Sequence, residues 1–241
     1  MDQSLQQALA NYKPSQATID LVNQTNVLFL VGPTGAGKDS LKDALLERDG
    51  YHHLISHTTR PPRINQGVRE QDGREYHFID QARALQMLHD QAFVEAKIYS
   101  GNLYGTSAAE IQTAHDAGKV AVTDIEVQGV AEYKAIDPNI MAVFLLPPDF
   151  ETWQQRLQRR YGDVVDAADM QLRLETALEE IEQLLTTDYY LAMVNATLDN
   201  AVIEIKAITD THSHDPALEA EAREVAQKLD DDIRAYLASN G

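Results

Sequence analysis

The sequence predicts an α/β fold: a three-layer core on a parallel sheet, with a small β-rich insertion and a helical lid. Three observations carry that expectation. An apolar run at 27–31 breaks into a glycine-rich turn, and a helical pattern follows at once. Strand-like and helix-like stretches alternate along most of the chain. Two later runs, Val120-Ala-Val-Thr and Met141-Ala-Val-Phe-Leu-Leu, are nearly all apolar, as strands covered on both faces must be.

The first element is the most telling. Val27-Leu-Phe-Leu-Val-Gly-Pro-Thr-Gly-Ala-Gly-Lys38 reads as a strand (27–31), a loop and a helix (38–48). Gly32, Gly35 and Gly37 let the backbone curl until successive N–H groups face one anion, with Pro33, Thr34 and Ala36 completing the loop. The helix adds its positive N-terminal end, and the Lys38 ammonium reaches outer phosphates. The strict pattern asks for Ser or Thr after the lysine; Asp39 stands there, and Ser40 follows.

Further strands are expected at 52–56, 75–79, 93–99, 119–124, 140–146 and 190–195. Helices are expected at 80–90, 106–117, 126–136, 149–160, 167–186 and 199–208. From Ser56 to about Tyr104 the chain is rich in Arg, Gly, Pro and Tyr and reads as an insertion with short strands. Residues 149–186 read almost entirely as helix and carry Arg156, Arg159, Arg160 and Arg173, which suits a lid over phosphates. Glu179-Glu-Ile-Glu182 reads as a solvated helix face. Residues 1–25 show a modest apolar pattern at Leu5, Leu9, Ile19 and Val22. A clear helical stripe at Leu218, Val225, Leu229, Ile233 and Leu237 is expected to pack on its own domain.

Composition narrows the function. With 20 basic and 38 acidic residues in 241, the formal charge is −18, which argues against a nucleic-acid partner. No run reaches membrane-spanning length, and the start lacks the basic and apolar regions of a secretory signal. Cysteine is absent, which excludes disulfides and thiolate metal sites and fits the cytoplasm. His52-His53 and His212-Ser-His214 lack further ligands at convincing spacing and read as ordinary loop or strand histidines.

A second site follows the loop. Ser56-His-Thr-Thr-Arg60-Pro-Pro-Arg63 places two guanidinium forks around two prolines, a stiff pair suited to a phosphate. Glu70-Gln-Asp-Gly-Arg-Glu-Tyr76 comes next. Then come Phe93-Val-Glu95, Gly101-Asn-Leu-Tyr104-Gly-Thr106 and Asp124-Ile-Glu126-Val-Gln-Gly129. With the loop and the arginine pair, these five motifs stand in the order found in guanylate kinases, and the chain resembles that family from about Val27 to Ile203.

The resemblance implies a P-loop nucleoside monophosphate kinase that moves the γ-phosphoryl of ATP to GMP, with dGMP a further acceptor and Mg²⁺ accompanying ATP. It implies a core of 27–55, 105–148 and 187–208, a GMP-binding subdomain at 56–104 and a lid at 149–186, with helical extensions at 1–26 and 209–241. Residues 32–40 and Asn195 would hold ATP. Ser56, Glu95 and Glu126 would read guanine, Arg60, Arg63, Tyr76 and Tyr104 would hold the GMP phosphate, and Glu70, Thr106 and Asp124 would complete the GMP site. Lys38, Arg60, Arg156, Arg160 and Arg173 would be catalytic, and Asp39 and Asp124 would meet Mg²⁺ through water. A carboxylate such as Glu95 accepts from guanine N1–H and the 2-amino group, whereas adenine offers it a lone pair.

Two departures set further expectations. Asp39 predicts an altered metal requirement, and Glu126, where the family has Asp, predicts a looser guanine contact. Two rival readings remain at this level: a kinase acting on ribose 1,5-bisphosphate, which shares the Gly-Lys-Asp-Ser loop, and a catalytically weak nucleotide- or peptide-binding module. The active form is expected to be a monomer or homodimer.

Overall fold

The computed structural model describes residues 3–65, 67–161 and 167–240. In chain order the strands are β1 (Val27–Val31), β2 (Tyr51–His53), β3 (His57–Thr58), β4 (Ile64–Asn65), β5 (Val68–Arg69), β6 (His77–Phe78), β7 (Phe93–Tyr99), β8 (Asn102–Ser107), β9 (Val120–Asp124), β10 (Met141–Leu146) and β11 (Tyr190–Val194). The helices are α1 (Gln3–Ala10), α2 (Gln16–Asn23), α3 (Lys38–Leu46), α4 (Gln81–His89), α5 (Ala108–Asp116), α6 (Val127–Ile136), α7 (Phe150–Tyr161), α8 (Ala167–Thr186), α9 (Leu198–Thr211) and α10 (Pro216–Asn240). They form two compact units: Met1–Val27, Gly50–Thr123 and Glu132–Asn139 in the first; Leu28–Asp49, Asp124–Ala131 and Ile140–Gly241 in the second.

The second unit is built on parallel strands. β10 pairs with β1, Leu30 opposite Val143, and with β11, Phe144 opposite Ala192. Every residue of β1 and β10 is buried, which is why both read as unbroken apolar runs. After β9, Ile125 N–H donates to Leu30 O at 3.2 Å. α10 packs along α8 and β11, as its apolar stripe predicts. His214, a loop histidine as expected, is buried between two carboxylates, Glu204 at 2.7 Å and Glu219 at 3.0 Å. Burial would lower its pKa, but those two acceptors outweigh it and raise the imidazole to about 9. Among the described residues no cluster of three or more His, Cys, Asp or Glu could hold a metal, and no helix is long and apolar enough to cross a membrane.

In the first unit β2 and β9 pair in parallel, and a four-stranded sheet runs in the order β6-β3-β8-β7. β8 pairs antiparallel with both β3 and β7, and the β7–β8 turn uses Ser100 and Gly101 at positive φ (45° and 81°). α1 and α4 close a core of Leu5, Ala84, Met87, Leu88, Phe93 and Leu103.

Several expected boundaries move. β8 runs through Ser107, so α5 starts at Ala108 and not at 106; Ser107 caps it by accepting from Glu110 N–H. β2 ends at His53, although Leu54 N–H still bonds Val122 O at 3.0 Å, and β6 shrinks to two residues. The modest N-terminal pattern resolves into two helices, the second capped by Ser15.

Candidate active site

The glycine loop follows β1 in the second unit. A Cβ at Gly32 would lie 2.3 Å from Leu145 O, and one at Gly37 2.3 Å from Asn195 Nδ2, with both residues at positive φ. The loop carbonyls are taken by protein donors. Trp153 Nε1 donates to Thr34 O at 2.7 Å, and Asn195 Nδ2 to Ala36 O at 2.8 Å. Arg156 donates to Asn195 O at 2.8 Å and to Ala36 O at 3.4 Å. These contacts turn loop oxygens toward protein and leave an anion to meet N–H groups and the α3 N-terminus. Trp153 carries no motif signal beyond being the sole tryptophan, and sequence reasoning missed it.

Lys38 folds back on the loop, donating to Gly32 O and, at 3.2 Å, to Pro33 O. Burial lowers its pKa, while Glu180, Asp124 and Asp39 act to keep it charged. Asp39, in the first turn of α3, pairs with Arg160 at 3.2 Å; both side chains are about half exposed (54% and 50%), so the pair is weak and easily exchanged. It is Arg160, not Arg159, that makes this contact. Ser40 is exposed, and Asp124 pairs with Lys42. Burial would raise the Asp124 carboxyl, yet Lys42 holds it below the usual range. Arg173 stays with α7 and α8, bonded to Asp169 at 3.0 Å and Tyr161 Oη at 3.1 Å, with its guanidinium 4.1 Å from the Tyr161 ring centre.

One expectation fails here. Glu180 does not share the solvated face of Glu179 and Glu182: it is turned inward toward charges that include Lys38 and Glu126. Burial raises its pKa, with Lys38 opposing and Glu126 adding to the rise.

The first unit gathers most of the acceptor-side candidates. Arg60, only 6% exposed, meets Glu70 in a two-pronged pair, Nη1 to Oε2 at 2.8 Å and Nη2 to Oε1 at 3.0 Å. Its guanidinium lies 5.3 Å from the Tyr76 ring centre, and the Tyr76 and Tyr104 rings meet edge-on at 5.8 Å. Hydrogen bonding to Glu70 raises the Arg60 pKa further, with Tyr104 contributing. Glu70 also accepts from Arg63 N–H at 2.7 Å, so it shapes the Pro61-Pro62 loop, while the Arg63 side chain is exposed. Gln66, in the same loop, lies outside the described residues.

Glu95 Oε1 accepts from Thr106 N–H at 3.0 Å, and Thr106 Oγ1 lies 3.4 Å from Ser56 Oγ. Burial raises the Glu95 carboxyl to about 7, opposed by Lys97 and Thr106 and reinforced by Glu132. Tyr133, fully buried, is a residue the sequence did not flag; burial pushes its phenol well up, with Glu95 adding and Thr106 opposing. Ser56, Arg60, Glu70, Tyr76, Glu95, Tyr104 and Thr106 therefore share one unit, whereas Asp124 and the exposed Glu126 belong to the other.

Comparison with known proteins places the chain in a family. The family model described as guanylate kinase matches residues 24–212. A guanylate kinase of Histophilus somni (strain 129Pt) is 36% identical over 187 residues, covering 76% of this chain and 86% of that protein. One from Thermus thermophilus is 34% identical over 211 residues, covering 88% of this chain and 92% of that protein. The crystal structure of guanylate kinase from Anaplasma phagocytophilum shares the fold with a TM-score of 0.56 at 23% identity, over 84% of this chain and 94% of that one. A family model matched over most of the chain, together with relatives matched over most of their own length, leads to one conclusion: this chain belongs to the guanylate kinase family.

Proposed function

We propose that the chain transfers the γ-phosphoryl group of ATP to GMP, giving ADP and GDP. One observation carries the reading: Glu95 sits half-buried beside Thr106 and Ser56 on the same small sheet that presents Tyr104 near Arg60. A half-buried carboxylate next to a cation-rich phosphate clamp suits a guanine ring with a 5′-phosphate. Ribose 1,5-bisphosphate has no base to use it, and a peptide-binding module has no use for Lys38 and its braced loop.

Phosphoryl transfer needs alignment and charge neutralisation more than covalent help. A GMP phosphate oxygen attacks the γ-phosphorus in line; the new P–O bond forms as the bond to the β,γ-bridging oxygen breaks, and ADP departs. Lys38 exchanges its carbonyl partners for phosphate oxygens. Arg160 and Arg173, now held by carboxylates, exchange them for phosphate in the same way, acting as a lid, and Arg156 fixes the loop. Arg60 and the two tyrosines hold the acceptor phosphate, with Glu70 fixing the guanidinium plane. Asp39 and Asp124 are hard oxygen donors next to the loop, each now matched with a cation, and they fit Mg²⁺ through water. Mg²⁺ supplies charge neutralisation on the triphosphate. The acidic, cysteine-free chain suits a reducing cytoplasm.

The test is ADP formation from Mg·ATP with GMP, dGMP, AMP, UMP and ribose 1,5-bisphosphate in parallel. Turnover with GMP, alone or with dGMP, is expected. Turnover with the ribose bisphosphate alone would overturn the reading.

A further inference from the structure

Glu95 sits on an edge strand, since β7 is last in the order β6-β3-β8-β7. The β7–β8 register shifts between Phe93, opposite Ser107, and Glu95, opposite Thr106. Such a bulge re-aims the side chains that follow it, and an edge strand leaves backbone groups open on one side. At Phe93 that open side is closed by one side chain. The Tyr12 hydroxyl accepts from Phe93 N–H at 2.9 Å and donates to Phe93 O. The two rings meet edge-on at 6.4 Å, and Tyr12 packs against the core shared by α1, α4 and β7.

Tyr12 precedes the family match, which begins at residue 24, so this brace comes from the N-terminal extension. Burial moves the phenol pKa up to about 12, with the Phe93 carbonyl opposing and Glu95 adding, so the hydroxyl keeps its proton and can donate.

We propose that Tyr12 is a positioning residue for the acceptor: by closing both backbone groups of Phe93 it fixes the bulge that aims Glu95 at guanine. The inference rests on the reading of Glu95 given above. It makes the N-terminal extension part of the acceptor-recognising machinery rather than a mere appendage.

The test compares three full-length chains: the natural one, Tyr12→Phe, which loses only the hydroxyl, and Leu9→Ala, which loses packing in the same extension and keeps it. KM for GMP and for ATP, kcat, Tm, the pH profile of kcat/KM for GMP and the calorimetric Kd for GMP are measured. Tyr12→Phe is expected to raise KM and Kd for GMP about fivefold, leave KM for ATP unchanged and move the pH inflection. Leu9→Ala is expected to lower Tm without that split. An unchanged GMP affinity in Tyr12→Phe would overturn the inference, as would parallel losses for both substrates that track Tm in both variants. A natural chain that neither binds nor phosphorylates GMP would overturn the underlying reading and this inference with it.

Discussion

The pH dependence of GMP recognition is the sharpest consequence of the acceptor sheet. Glu95 can accept from guanine N1–H and the 2-amino group only when ionised, yet burial raises its pKa from 4.5 to about 7 in the free protein. In the role proposed for Glu95, guanine binding expels the proton. The ionised fraction rises with pH, so affinity for GMP should rise between pH 6 and 8 and then level off. With an inflection near 7, affinity at pH 6 should be about tenfold below the plateau. The phosphate of GMP also titrates, near pH 6, so the comparison must be with Glu95→Gln, in which that ionisation persists and the carboxyl is gone.

Glu95→Gln turns an acceptor into a group that also presents donors to guanine, and kcat/KM for GMP should fall on the order of a hundredfold with KM for ATP unchanged. Stability should move the other way. An acid with a raised pKa binds more protons folded than unfolded, so natural-chain stability drops as pH rises from 4.5 to about 7. Moving the carboxyl that far costs roughly 3 kcal/mol once it is ionised, and the variant escapes this cost. Urea denaturation of both chains at pH 5 and 8 measures it. Parallel stability curves, together with GMP affinity independent of pH between 6 and 8, would refute the reasoning.

Three further outcomes are expected. Asp39→Ser frees Arg160 and removes a carboxylate beside the loop, so the ratio of Mg²⁺- to Mn²⁺-supported turnover should change; identical metal profiles would refute a role for Asp39. His214 has its pKa raised from 6.5 to about 9, so its contribution is complete below 6.5 and lost as pH rises through 9. His214→Ala should cost about 2–3 kcal/mol at pH 6 and much less at pH 10, read by chemical denaturation. Gly37→Ala forces a Cβ to within 2.3 Å of Asn195 Nδ2 at a φ of 101°, and ATP binding by calorimetry should weaken at least tenfold while the far-ultraviolet spectrum stays the same.

Legibility followed the range of the interactions. β1 and β7 have the boundaries read from the sequence, as does α8, because apolar runs and helical periods are local signals. Thr106 and Ser107 look like the start of a helix but belong to β8, because pairing with β7 and the Ser107 cap shift the start to Ala108. Glu180 looks like its neighbour Glu179, and only the identity of what faces the helix separates a half-buried acid from a solvated one. Trp153 and Tyr133 announce themselves by nothing in their own surroundings in the chain.

The sequence alone determined the glycine-rich loop, the arginine pair, the longer strands other than β8, most of the helices and the family, since each is written in residues close together or in a fixed series. Tertiary structure decided which group answers which. It set Glu70 against Arg60, Asp39 against Arg160, Asn195 against the loop and Tyr12 against Phe93. Such pairings join residues from separate elements, and burial strengthens those from which water is excluded. No pattern along the chain records either the meeting or the burial.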